Sequence, residues 1–270
     1  MQRIAIASTL LILALTVTAA GQETRIGNLA GDAHRGKQLY RRYCIGCHGA
    51  RGDGLGDNAP WMDPKPRDFT AATFKCRSTP TGTLPTDKDL YDTLSRGVHA
   101  SGMPSWDALT RRERVDLVAY VKGFSARFHE EKAGAPLAIP AGTPDTAESV
   151  ERGHALFEKM NCWSCHGKQG RGNGPSVIGL TDSKGFAITP YDFTGANRFK
   201  CGETDQDMYR VLVTGLDGTP MPSFADALDA NQLWDVVHYV QTFRGKKAPA
   251  PVQRTSHPQT GDSAGSVGNQ

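Results

Sequence analysis

Cys44-Ile45-Gly46-Cys47-His48 returns further along the chain as Cys162-Trp163-Ser164-Cys165-His166, and these two pentads decide how the rest is read. Two thiols three positions apart can add to the two vinyl groups of one haem, and the histidine that follows can then reach the iron. The C-x-x-C pair alone also serves thioredoxin-like redox chemistry, or half of a zinc site that Cys76 and Cys201 would complete. Neither of those needs a trailing histidine at the same offset twice. Cys44, Cys47, Cys162 and Cys165 are therefore read as haem attachment residues, and His48 and His166 as iron ligands.

The similarity of the two halves extends well beyond the pentads. Arg35-Gly36 through Leu39-Tyr40 matches Arg152-Gly153 through Leu156-Phe157, and Asp68-Phe69-Thr70 matches Asp192-Phe193-Thr194. Phe74-Lys75-Cys76 matches Phe199-Lys200-Cys201, and Ala119-Tyr120-Val121 matches His238-Tyr239-Val240. Self-similarity of this kind implies duplicated modules that each bury a core. The expected order is a signal segment at 1–20, a first module at 31–128 and an exposed, Ala/Pro/Gly-rich linker at 129–146. A second module at 147–244 and a polar, disordered tail at 245–270 complete it.

Both modules read as helical. Asp32 can cap a helix that runs into the first pentad, and a matching helix from Ala147 to about Met160 leads into the second. Thr110-Arg111-Arg112-Glu113 is a capping box ahead of Leu117, Val118 and Val121. Asp229-Ala230-Asn231-Gln232 precedes Leu233, Val236, Val237 and Val240 in the same way. Gly36 and Gly153 lie inside helices, where glycine costs about 1 kcal/mol against alanine, so each is expected to permit close approach of the terminal helix of its module.

A histidine on one side of a haem leaves the other side to be filled. Met103 lies 55 residues beyond His48, and Met221 lies 55 residues beyond His166. They stand in Gly102-Met103-Pro104-Ser105 and Pro220-Met221-Pro222-Ser223, each on a loop ahead of a terminal helix. A lone methionine is ordinarily core filler, but two at one offset in one context are read as iron ligands on the Met/His pattern. Met62, Met160 and Met208 are read as packing. His99, opposite Asp217 in the alignment, is read as a surface residue, as are His154 and His238.

Arg3, the apolar run Ile4 to Val17 and Thr18-Ala19-Ala20 have the layout of a secretory signal cleaved after about Ala20, and the run is shorter than the ~20 residues of a membrane span. Without that segment the chain carries 30 basic and 28 acidic residues, and each haem would add two propionates. This near-neutral balance gives no footprint for nucleic acid.

With pentad, Met-Pro loop and terminal helix in that order, each half resembles a class I cytochrome c. The whole resembles a tandem di-haem electron-transfer cytochrome c. The resemblance implies an all-α fold of two tandem class I cytochrome c domains, each wrapped around one covalently bound haem, with two haem c groups attached after export to the periplasm. It implies a proline carbonyl that accepts the far proton of the ligating histidine, for which Pro175 fits and Pro60 is the looser candidate. It further implies a carrier of single electrons between a redox donor and acceptor, or the electron-transfer subunit of a membrane or periplasmic oxidoreductase complex, rather than an enzyme in its own right.

Cys76 and Cys201 depart from that pattern. They read as buried thiols, or as an interdomain disulfide if the modules pack about an approximate two-fold axis, as family members do, with Cα atoms within ~7 Å. A cysteine as distal iron ligand belongs to the rival reading: a di-haem oxidoreductase of thiosulfate dehydrogenase or peroxidase type, with one open or Cys-ligated haem. A gas or redox sensor ranks behind both, since the chain has no evident signalling module. The copies are unequal, because Trp163 replaces Ile45 and the segment after Cys76 is longer than that after Cys201. Two distinguishable potentials are expected.

Overall fold

Asp32 starts the first helix as expected: its carboxylate accepts from the N–H groups of His34 and Arg35 at 2.8 and 3.1 Å, satisfying donors that have no partner within the helix. In the computed structural model, which describes residues 23–195 and 198–244, the chain is mostly helical. The expected signal segment, its cleavage site near Ala20 and the tail at 245–270 lie outside the described residues. In the first half, helices α1 (Ala33–Tyr43), α2 (Ile45–His48), α3 (Asp87–Arg96), α4 (Arg111–Lys122) and the short α5 (Arg127–Glu130) follow one another. The second half runs through α6 (Ala147–Lys159), α7 (Trp163–His166), α8 (Asp205–Thr214) and α9 (Ala230–Gln241).

Capping boxes open α3, α4, α6, α8 and α9, those of α4 and α9 being Thr110 with Glu113 and Asp229 with Gln232. A two-residue hairpin, β1 (Arg25–Ile26) against β2 (Leu29–Ala30), precedes α1. No periodicity in so short a stretch announces it.

In each half the helix ahead of the pentad crosses the terminal helix, α1 on α4 and α6 on α9. The crossings are made at glycine. A Cβ built on Gly36 would overlap the main-chain carbonyl of Asp116, and one on Gly153 would overlap that of Asp235. The same two aspartates, almost fully buried, accept from Arg35 and Arg152, each with a closest N–O distance of 2.8 Å. Asp116 also takes the N–H of Asp32 at 2.8 Å, which ties the cap of α1 to α4. The cores gather behind these crossings, around Tyr40, Leu117 and Val118 in the first half and Phe157, Trp234 and Val237 in the second.

His238 is not the surface residue expected of it. It is buried, with Nδ1 2.9 Å from the Ser149 hydroxyl, because it follows Val237 on the flank of α9 that meets the start of α6. His154 is exposed and stacks on Tyr239.

Of the expected linker at 129–146, His129 and Glu130 belong to α5, while residues 131–146 have no regular structure, are mostly exposed and are anchored. The N–H of Leu137 donates to Ser78 at 2.8 Å, and Ile139 packs on the core of the second half.

The halves are joined covalently. Cys76 and Cys201 form a disulfide with Cα atoms 5.2 Å apart, so the buried-thiol reading gives way to the bridge. Around it, fully buried Arg77 pairs with Asp217 at 2.8 Å and donates to the Thr214 carbonyl at 2.5 Å, while Thr81 and the Gly82 N–H also donate to Asp217. Lys184 pairs with Asp68 in the opposite direction. The longer segment after Cys76 is thus spent on docking to the second half. Among the described residues, no helix is long and apolar enough to cross a membrane.

Candidate functional site

Each pentad closes a short helix at a glycine of positive φ, Gly49 at 77° and Gly167 at 74°, which turns the chain sharply after the histidine. Cys44, Cys47, His48 and Met103 line one cavity, of about 160 Å³, and Cys162, Cys165, His166 and Met221 line a second, of about 740 Å³. The structure therefore brings together the four residues expected at each site.

The histidines are held from behind. His48 Nδ1 donates to the Arg67 carbonyl at 2.9 Å, and His166 Nδ1 donates to the Tyr191 carbonyl at 3.4 Å. The acceptors are thus not Pro60 or Pro175. Both prolines sit in 3₁₀ turns close after the pentads, and the Pro60 carbonyl instead takes the Lys65 ammonium at 3.0 Å. Arg67 and Tyr191 each precede the repeated Asp-Phe-Thr segment, which is pinned by a second bond: the N–H of Phe69 donates to Gly52 and that of Phe193 to Gly170, both at 2.7 Å.

Phe69 then stacks on the His48 ring at 4.4 Å, and Phe193 on the His166 ring at 4.7 Å. Asp68 and Asp192 fix the turn by accepting from the N–H and hydroxyl of Thr70 and Thr194. Burial pushes both imidazoles below their ordinary pKa, with the carbonyl contact opposing in part. At neutral pH each ring is neutral, with its proton on Nδ1 and the Nε2 lone pair free. A metal-ligating histidine requires that state.

Burial acts on the thiols as well. Cys44 is pushed up to about 12 and Cys162 to about 11. Redox-active and zinc-bound cysteines depend on a stabilised thiolate, and these environments do the reverse. A zinc site completed by Cys76 and Cys201 is removed outright, as is a Cys-ligated haem, because those two sulfurs are bonded to each other.

The methionine loops are built alike. Helices α3 and α8 end at Gly97 and Gly215, whose φ values of 74° and 65° let the chain fold back so closely that a Cβ would meet the carbonyl carbons of Pro104 and Pro222. The N–H of Val98 donates to the Met103 carbonyl at 3.0 Å, and that of Leu216 to the Met221 carbonyl at 3.1 Å. Ser105 and Ser223 close the loops by donating to Ser95 and Val213 at 2.7 and 2.6 Å. The Ser after Met-Pro in both repeats is therefore a latch.

Met62, read as packing, also faces the first cavity, with its methyl against Gly102. Met160 and Met208 line the second. Exposed His99 belongs to the first half yet lines the second cavity, near Tyr191.

Two free thiols, a neutral imidazole fixed through Nδ1 and a thioether, around a largely apolar cavity, form a donor set that fits a covalently attached haem. What the sequence reading missed is the rear wall: Phe69, Phe193 and the two carbonyl acceptors. The repeated Asp-Phe-Thr was the available signal.

Residues 150–244 match the family described as cytochrome c, and residues 31–121 match cytochrome c oxidase, cbb3-type, subunit III. The cytochrome c subunit of the cytochrome bc1 complex of Corynebacterium diphtheriae is 26% identical over 224 residues, covering 80% of this chain and 67% of that protein. The same subunit of Corynebacterium efficiens is 25% identical, with 80% and 64% covered. The chain thus spans about two thirds of the length of these relatives. Among solved structures, a chain of a reducing HAO-like protein complex from Kuenenia stuttgartiensis is 42% identical, with a TM-score of 0.76 over 78% of this chain and 96% of that one.

Proposed function

Because the chain belongs to the c-type cytochromes and carries two covalently bound haem c groups, we propose that it passes single electrons between a redox donor and acceptor through two His/Met-ligated haems, one in each of two tandem class I domains at 31–128 and 147–244. Each haem supplies a one-electron iron couple.

The chain's residues do the rest. Cys44 with Cys47, and Cys162 with Cys165, hold the two groups by thioether bonds. His48 and His166 bind through Nε2, oriented by the Arg67 and Tyr191 carbonyls and stacked on Phe69 and Phe193. Met103 and Met221 would supply each iron's other protein ligand, on loops held by the Ser105 and Ser223 latches. A thioether in that position raises the potential and leaves no place for a substrate. The observation that carries this reading is the identical construction of the two Met-Pro loops, each on the same cavity as its pentad histidine.

The protein works outside the cytoplasm, in the periplasm. The sequence of residues 1–20 and an internal disulfide both suit export to an oxidising compartment. The similarity to a chain of a reducing HAO-like protein complex favours service as an electron-transfer partner or subunit of a larger oxidoreductase. That same similarity keeps in view a di-haem oxidoreductase with one open iron.

The experiment is a potentiometric titration of the wild type, Met103→Ala and Met221→Ala. Wild type is expected to titrate as two low-spin one-electron steps, and each variant to convert one haem to high spin. Low-spin spectra for both haems in both variants would reject the methionine assignment.

A further inference from the structure

Three cations meet where the halves join. Lys75 and Lys200 are the residues before Cys76 and Cys201, so the disulfide holds them beside one another. Both line the first cavity, and both line the second. Arg67 lines the first cavity too, and its charge reaches both lysines.

None of the three is exposed. Among the described residues, neither lysine ammonium nor the Arg67 guanidinium makes a hydrogen bond or an ion pair. The nearest acids are engaged or distant. Asp217 is taken by Arg77, Thr81 and Gly82, and Asp182 caps the N–H groups of Lys184 and Phe186. Asp63 acts on Lys200 only through space.

Burying a charge without a partner is costly, and placing three like charges together raises the cost. The strain registers on the lysines: burial and the neighbouring cations push Lys75 down to about 8 and lower Lys200 as well. A wall of this kind calls for anions from outside the polypeptide. The groups that enter these two cavities carry them, since each haem brings two carboxylates.

We propose that Lys75, Lys200 and Arg67 form one carboxylate-binding wall shared by the two haem sites, and that the Cys76–Cys201 bridge exists to hold it in place between them. The proposal rests on the reading of the two cavities as haem sites and goes beyond it. The two irons are then not electrostatically independent, because both feel the same lysines. These are positioning residues: they fix the carboxylate edge of each haem and favour the reduced state through their charge.

The test uses the exported holoprotein. Intact mass and haem content are measured first, and fewer than two haems per wild-type chain would remove the underlying reading before the wall is tested. Lys75→Met and Lys200→Met are then titrated beside Lys37→Met, an exposed control on α1.

Each wall variant is expected to lower both potentials, the reduction equilibrium of each haem falling at least threefold, about 28 mV at 59 mV per tenfold for one electron. Lys75→Arg should restore both, and Lys37→Met should move neither. Unchanged potentials in a variant that retains two haems overturn the proposal. A shift confined to one haem overturns the shared wall and leaves two separate sites. Should a methionine variant lose haem, Lys75→Gln and the arginine rescue decide: failure of arginine to restore both haems counts against a role through charge.

Discussion

The helix crossings at Gly36 and Gly153 set where each pentad sits, and adding one methyl group there is the sharpest test of that geometry. A Cβ on Gly36 overlaps the Asp116 carbonyl oxygen and also lies 2.8 Å from Tyr120 Cβ; one on Gly153 meets Asp235 and lies 2.8 Å from Tyr239 Cβ. The obstruction is main chain, and the carbonyls cannot retreat easily because the side chains of the same aspartates are fixed by arginine. Overpacking of this kind costs about 1–3 kcal/mol. Alanine returns about 1 kcal/mol of helix propensity.

A net loss of up to about 2 kcal/mol follows, which for a chain of this size lowers Tm by up to about 8 °C. Thermal unfolding of Gly36→Ala and Gly153→Ala, followed by far-ultraviolet circular dichroism, is the assay. Gly142→Ala is the control, since its Cβ would meet the Trp234 ring at 3.7 Å, an ordinary van der Waals contact. If either helix variant melts at or above the wild-type temperature, the glycines are not there for close approach.

Two further outcomes follow from the ion pairs and caps. Arg152 is 60% exposed while its partner Asp235 is only 6% exposed, so removing the exposed arginine should cost more than removing the buried aspartate. Arg152→Ala leaves a buried carboxylate without its ion-pair partner, whereas Asp235→Ala frees an arginine that can turn to water. A urea double-mutant cycle giving the reverse order would contradict this account. At the start of α8, burial acts to raise the Asp207 pKa, but hydrogen bonds from Thr204 and Glu203 and from Arg210 outweigh it and hold the group below the usual carboxylate value. Stability from that cap is therefore full above the unfolded pKa and lost as pH falls through the folded one. The Tm gap between wild type and Asp207→Asn, worth about 1 kcal/mol, should close as pH falls below the usual carboxylate range.

How much of this was legible in the sequence depended on whether the determinant was local. The caps at Asp32, Thr110 and Asp229 and the roles of Gly36 and Gly153 could be read because a few neighbouring residues decide them. The bonds behind the pentad histidines could not, since the acceptor carbonyls at Arg67 and Tyr191 belong to loops with no helical period, and a backbone carbonyl leaves no mark on residue type. Proline was a reasonable guess, and the pinned Asp-Phe-Thr turn displaced it.

His238 was misjudged because its alignment partner, Ala119, carries only a methyl group, which does not announce a buried position. The disulfide and the Arg77–Asp217 contact were undecidable for another reason: they depend on how the halves pack, which no pattern within either half encodes. Asp217 had seemed only the place where His99 lacked a counterpart, yet it anchors the junction.

The central claim is that both irons are closed by methionine. Reduced protein, exposed to carbon monoxide and followed by visible absorption, tests it most directly. Both haem spectra should remain unchanged at neutral pH, with binding appearing at one haem in Met103→Ala and at the other in Met221→Ala. Ready binding by either haem of the wild type would contradict the account and point to a di-haem enzyme with an open site.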